Sequence, residues 1–266
     1  MKEISQVMSK TTPNMTFIKV ESCECGDVEL YEMEILLGPK KGEKVVMKKG
    51  CECENIQLAK EATEMIARAK NRRLREVFDK HSLISKELQK ANLENYKPKT
   101  ELTDRAKRIA ERYIDVFDTD KPRNLLFTGS YGLGKSHLAK SIADGIMSKR
   151  YEAIFISVPK LLSRLKASYD RGTEYTELDL IEALNKTDLL VLDDLGAEKS
   201  SDWSFEKLFE IVDSRQGMNT IYTTNFTPED LITKLGERNF SRVMNQDTEL
   251  IKMDGDNYRL SKFKEG

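Results

Sequence analysis

Four cysteines in 266 residues are too few to brace a chain of this length with disulfides, and they point instead to a metal or to reduced thiols. No apolar run approaches the roughly 20 residues that cross a bilayer, so a membrane-spanning helix is excluded. The opening residues, Met1-Lys2-Glu3-Ile4-Ser5, carry no apolar core of the secretory type. A cytoplasmic protein with no membrane partner is the expectation. Net charge is also missing: 44 Lys and Arg stand against 45 Asp and Glu, a balance of −1. With no global basic field, any nucleic-acid contact has to come from local patches. Neither an internal repeat nor a low-complexity tract is present. The chain is long enough for one large domain or two small ones, and its 33% charged residues give a well-solvated surface.

What is there centres on Gly129-Ser130-Tyr131-Gly132-Leu133-Gly134-Lys135-Ser136, which satisfies the phosphate-loop pattern G-x-x-x-x-G-K-[S/T] at every fixed position. The preceding Asn124-Leu125-Leu126-Phe127-Thr128 is short and apolar, as a buried parallel strand is. From Ser136 to Lys149, residues Leu138, Ile142 and Ile146 recur at the spacing of one helix face. Strand, glycine turn and helix are the context the motif needs. Glycines let backbone amides close round a phosphate, and the helix N-terminus adds its positive dipole end. Lys135 would neutralise the β- and γ-phosphates, the Ser136 hydroxyl would ligate Mg²⁺, and His137 completes the expected nucleotide-contacting set.

The cysteines come as two pairs, Cys23-Glu24-Cys25 and Cys51-Glu52-Cys53. Between them, Val28 to Leu36 alternates as a strand does, Gly38-Pro39-Lys40-Lys41-Gly42 reads as a turn, and Glu43 to Met47 can return as a second strand. Such a hairpin brings both pairs to its open end, where four thiolates suit tetrahedral Zn²⁺ in a closed, structural site. Buried thiols or a redox-active pair are the alternatives. From Asn55 to about Asn95 the spacing predicts helix, with a basic cluster at Arg68, Lys70, Arg72, Arg73 and Arg75. Asn95-Tyr96-Lys97-Pro98 breaks it and marks a domain boundary. A helix capped near Thr103-Asp104 then runs to about Val116.

Beyond the phosphate loop, strands and helices alternate. Ala153 to Val158 is a strand. A helix begins at Pro159, with Leu161, Leu162 and Leu165 inward and Lys160, Arg164 and Lys166 outward. A further helix covers roughly Thr176 to Asn185. Leu189-Leu190-Val191-Leu192-Asp193-Asp194 is an apolar strand ending in two carboxylates. A helix over Phe205 to Arg215 precedes a strand from Thr220 to Asn225. This order predicts an α/β fold, a parallel sheet sandwiched by helices. Asp193 would hold Mg²⁺ and Asp194 would activate the attacking water. Asn225 could position that water if its strand lies beside the phosphate-loop strand.

In that order, the phosphate loop, the apolar strand into Asp193-Asp194-Leu195-Gly196 and the strand into Thr223-Thr224-Asn225 resemble an AAA+ ATPase. More narrowly, the chain resembles the DnaC/DnaI family of replicative helicase loaders and their IstB-like relatives. Gly236-Glu237-Arg238-Asn239-Phe240-Ser241-Arg242 is similar to the family's arginine-finger segment, and Asp256-Asn257-Tyr258-Arg259 to its second sensor segment. The resemblance spans about residues 95 to 262. It implies ATP with Mg²⁺ as cofactors and slow hydrolysis. Lys135 and Ser136 become the Walker A pair and Asp193 and Asp194 the Walker B pair. Asn225 becomes sensor 1 and Arg259 sensor 2. Arg242, with Arg238 beside it, would act on a neighbouring subunit's nucleotide. The implied partners are a DnaB-type hexameric helicase, single-stranded DNA and a second copy of the chain. Lys160, Arg164 and Lys166 lie where relatives carry their initiator-specific element. Ser157, Ser201 and Trp203 fall near positions that face the DNA strand, although a lone tryptophan reads equally well as core. The expected organisation is a four-cysteine zinc-binding hairpin over 1–55, a helical helicase-interaction region over 56–98 and an AAA+ domain over 99–266. The other reading is a transposition-regulating ATPase of the IstB type that coats duplex DNA.

Overall fold

A computed structural model describes residues 15–23, 26–49, 53, 56–63, 65–66, 85–170 and 175–260. The chain divides into two compact units, residues 1–69 and 70–266.

In the first unit, β1 (Met15–Cys23), β2 (Gly26–Glu34) and β3 (Lys44–Lys49) form an antiparallel sheet in that order. The predicted hairpin is β2–β3, with Met33 opposite Val45 and Glu29 opposite Lys49. Ile35 and Glu43 close its turn, the Ile35 N–H donating to the Glu43 carbonyl at 2.9 Å. β1 is a strand the sequence pattern does not signal. Its side chains, Phe17, Ile18 and Val20 among them, are mostly exposed, so no inside–outside alternation is written into it. Only β2 carries deeply buried residues, Val28 and Leu30. Residues 56–63 are helical, as the spacing predicts. The basic cluster from Arg68 to Arg75 lies outside the described residues.

The predicted helix does not continue to Asn95. After α1 (Lys86–Gln89) the chain turns. Asn92 and Asn95 exchange side-chain to backbone hydrogen bonds, 3.0 and 2.8 Å long, which compete with helical pairing. α2 (Glu101–Asp115) then starts earlier than expected. Thr100 is its N-cap, and Thr103, read as the cap, is instead the buried third residue of the capping box.

A five-stranded parallel sheet organises the second unit. Its strands are β4 (Asn124–Thr128), β5 (Ala153–Ser157), β6 (Leu189–Asp193), β7 (Asn219–Thr224) and β8 (Thr248–Lys252), in the spatial order β5-β6-β7-β4-β8. β4, β6 and β7 are buried along their whole length, as strands covered on both faces must be. Their side chains alternate between two cores. Leu125, Phe127, Val191 and Ile221 face α2 and α3 (Lys135–Ser148). Leu126, Leu190, Leu192 and Tyr222 face α4 (Val158–Ala167), α5 (Glu177–Lys186), α6 (Asp202–Ser214) and α7 (Pro228–Val243). α7 is kinked at Gly236, whose φ of 73° lies in the left-handed region. No helix among the described residues is long and apolar enough to cross a membrane.

The sheet order brings distant segments to one edge. β7 lies between β4 and β6, paired in parallel with both. The phosphate-loop strand and the strand carrying the two aspartates are therefore separated by one strand, and Asn225 follows the end of that strand.

Candidate nucleotide-binding site

β4 ends at Thr128 and the chain enters the glycine turn at the carboxyl edge of the sheet, where ligands bind in open α/β folds. Gly132 and Gly134 have φ of 76° and 85°, a backbone path that a side chain would strain. Gly134 is the N-cap of α3 and supplies no side-chain cap, so the helix's first amides stay available to an anion. The ammonium of Lys135 folds back into the turn and donates to the carbonyls of Gly129 and Ser130, both at 2.7 Å. Burial pushes Lys135 down to about 8, while the carboxylates of Asp194 and Asp193 pull it back up. Tyr131 and Ser130 are exposed, and Leu133 is buried beneath the loop.

Asp193 closes β6 and is buried. The Thr223 hydroxyl donates to its Oδ1 at 2.6 Å, and the nearby Ser136 hydroxyl also favours its ionised form. Burial, then the charge of Asp194, push the Asp193 carboxyl up to about 6. Asp194 turns away from the strand with φ of 57°, a left-handed conformation that Asp tolerates better than most residues. Its N–H donates to Thr223 Oγ1 at 3.0 Å, and its Oδ1 accepts from Asn225 Nδ2 at 3.3 Å. One hydroxyl, Thr223, thus orders both aspartates. A hydroxyl and a carboxylate side by side, beside a lysine and a glycine cradle, are the oxygen donors and charges that suit Mg²⁺ on a nucleotide's phosphates.

The segment after β8 packs onto the loop from the other side. Met253 N–H donates to the Thr128 carbonyl at 2.8 Å and Tyr258 N–H to the Gly132 carbonyl at 3.1 Å. A Cβ on Gly132 would overlap the Asn257 side chain. Arg259 is thereby brought near, and its charge helps to lower Lys135. The structure therefore gathers Lys135, Ser136, Asp193, Asp194, Asn225 and Arg259 at one edge of the sheet.

Other predicted residues lie elsewhere. The His137 Nε2 stands 2.8 Å from the Asn92 carbonyl oxygen. Arg242 sits in the last turn of α7, paired with Asp213 of α6 at 2.8 Å. Arg238 covers the Phe209 ring at 3.6 Å. Within a single chain, these contacts hold both arginines on α6. Ser157 ends β5 opposite Asp193 and is the N-cap of α4, which carries Lys160, Arg164 and Lys166. The Lys166 ammonium stands 4.7 Å over the ring of half-buried Trp203, whose Nε1–H donates to Tyr169 at 3.3 Å. Ser201 is the N-cap of α6, its hydroxyl accepting from Ser204 N–H at 3.1 Å.

In the first unit, the Sγ atoms of Cys23 and Cys53 are 3.5 Å apart. That is well beyond a disulfide bond of about 2.05 Å and near the ~3.8 Å edge of a tetrahedral zinc–thiolate site. Cys25 and Cys51 lie outside the described residues, and among the described residues no three ligand side chains are gathered.

Thr223 and Asn257 lie in two segments that carry the family resemblance, yet the sequence assigns neither a role: the Thr223 hydroxyl and the Asn257 side chain gain theirs only where segments remote in sequence meet.

The profile of a family described as IstB-like ATP binding protein matches residues 54–265. The replicative helicase loader DnaC of Escherichia coli K12 is 29% identical over 173 residues, 64% of this chain and 70% of that protein. The replicative helicase loader DnaI of Bacillus subtilis strain 168 is 28% identical over 53% of this chain and 49% of its own. Among solved structures, that of the DnaC helicase loader superposes with a TM-score of 0.58 at 31% identity, covering 64% of this chain and all of that one. Fold, loop and sequence agree: the chain belongs to the IstB-like ATP-binding family and is homologous to the DnaC and DnaI helicase loaders.

Proposed function

We propose that the chain loads a hexameric replicative helicase onto single-stranded DNA, with ATP binding and slow hydrolysis governing the transfer. The observation that carries this reading is the convergence of Lys135, Ser136, Asp193, Asp194, Asn225 and Arg259 at one sheet edge, in a chain homologous to DnaC. Lys135 leaves its carbonyl partners for the β- and γ-phosphates. Ser136 and Asp193 would hold Mg²⁺, which would supply positive charge to the phosphates. Asp194, steadied by Asn225, accepts a proton from the attacking water. Arg259 supports the nucleotide from the C-terminal segment, and Arg242 serves the nucleotide of a neighbouring copy. The basic face of α4, with Lys160, Arg164 and Lys166, follows the phosphates of the DNA strand. Ser157, Ser201 and Trp203 lie beside it. In the first unit, Cys23, Cys25, Cys51 and Cys53 would be the ligands of one structural zinc, and that unit with the helical stretch after it would engage the helicase. A cytoplasmic location accords with this role.

The test is to mix the protein with candidate replicative hexamers and single-stranded DNA, and to read complex mass in solution with and without ATP. The expected result is a helicase complex whose stability depends on ATP and is lost with Lys135→Ala. Failure to bind any replicative hexamer, together with long filaments on duplex DNA, would replace this reading with the transposition-type one.

A further inference from the structure

The phosphate loop is held from outside as well as from within. After α1, the reciprocal bonds of Asn92 and Asn95, with Asn95 Nδ2 donating to the Lys90 carbonyl at 2.6 Å, set a firm turn. That turn delivers the buried side chain of Tyr96 to the loop. The Tyr96 hydroxyl donates to the Leu133 carbonyl at 2.9 Å. Its ring lies against Gly134, where a Cβ would come 2.5 Å from a ring carbon. The His137 ring meets the Tyr96 ring edge-on at 5.3 Å, and its Nε2 meets the Asn92 carbonyl on the same turn. Burial pushes the Tyr96 phenol up to about 12, so it keeps its donor proton.

The consequence lies in one peptide plane. In a trans peptide the C=O and N–H point in opposite directions. With the Leu133 carbonyl turned to Tyr96, the Gly134 N–H points away from Tyr96. A peptide leading into glycine rotates at little steric cost unless something fixes it.

We infer that Tyr96 is a positioning residue for nucleotide binding: its hydroxyl fixes the Leu133–Gly134 peptide so that the Gly134 N–H is presented to a phosphate. This rests on the phosphate-loop reading of the site. It also makes the segment leading in from the N-terminal part of the chain a component of the nucleotide site.

Tyr96→Phe keeps the ring and removes the donor. Calorimetric titration of the full chain with Mg·ADP and Mg·ATP should show both affinities falling about 5- to 10-fold, one hydrogen bond's worth. The factor should be the same for both, because loop amides face phosphates that both nucleotides carry. In turnover, KM should rise with kcat unchanged, as for an interaction made equally in ground and transition states. Unchanged affinity would overturn the inference, even if the melting temperature fell. If Tyr96→Phe does not fold, Asn95→Ala at the exposed turn loosens the same aim; wild-type affinity there would also overturn it. A wild-type protein that binds neither nucleotide would remove the phosphate-loop reading itself, an outcome distinct from equal binding by wild type and variant.

Discussion

Asp193 is the side chain on which opposing forces meet most sharply. Burial and the adjacent Asp194 push it up to about 6 from an ordinary 3.8, although Thr223, Ser136 and Lys135 all favour the ionised form. Between those two values the folded chain keeps a proton that the unfolded chain has released. Stability therefore falls as pH rises across that window, and the full cost of the buried charge is present above about pH 6. Asp193→Asn should raise the melting temperature at pH 8, without magnesium or nucleotide, by a few degrees. The underlying gain is on the order of 1–3 kcal/mol, and it should vanish near pH 4. Scanning calorimetry at the two pH values checks this, and a lower melting temperature at pH 8 would mean that the two hydroxyls outweigh burial. The same substitution should abolish magnesium-dependent nucleotide binding, a cost in function set against the gain in stability. The motif made Asp193 legible in the sequence; the hydroxyl of Thr223 above it was not, because a threonine in a strand is ordinarily read as a β-former.

Among the elements, β6 and β7 do separate work at their two ends. At the carboxyl end, Thr223 and Asn225 order the acids. At the other end, Arg215, just past α6, is buried almost completely and pushed down to about 10, burial being the main cause. Its guanidinium donates to the carbonyls of Leu184, Asn185, Thr187 and Asn219 at 2.5–3.3 Å, joining the end of α5 to the starts of both strands. Arg215→Met would leave four carbonyls without this partner and should cost about 3–5 kcal/mol, read by urea denaturation. Arg215→Lys should recover only part, because an ammonium cannot span the fork. A loss below about 1 kcal/mol would mean that water replaces the guanidinium. Strongly apolar elements such as β4 and β6 could be read from sequence. β8 could not: of Thr248 to Lys252 only Ile251 is buried, too little for a pattern.

For the molecule as a whole, two assembly questions are open to measurement. Arg242 is exposed and held by Asp213 on its own chain, an ion pair at a solvated surface that costs little to break. Arg242→Ala should keep nucleotide affinity but lose at least about tenfold of any hydrolysis that rises with protein concentration. Stimulation that survives the change would move the trans-acting arginine elsewhere, with Arg238 over Phe209 the next to test. In the N-terminal unit, the Sγ atoms of Cys23 and Cys53 lie 3.5 Å apart, and the proposed zinc site can be tested directly. Elemental analysis should find about one zinc per chain, lost in Cys23→Ser with a fall in that unit's stability. Metal-free protein that still folds would leave the four cysteines as reduced thiols or a redox-active pair.

The sequence alone determined the chemistry's parts: a glycine loop between strand and helix, a strand ending in two acids, and a parallel α/β order. Those are local patterns, written in a few adjacent residues each. Only the tertiary structure decided which strand lies between the loop and the acids, and so why Asn225 reaches Asp194. It alone placed Tyr96 and Asn257 on opposite flanks of the loop. Such contacts join residues tens to more than a hundred positions apart, and their selection depends on packing of the whole sheet, not on any periodicity along the chain.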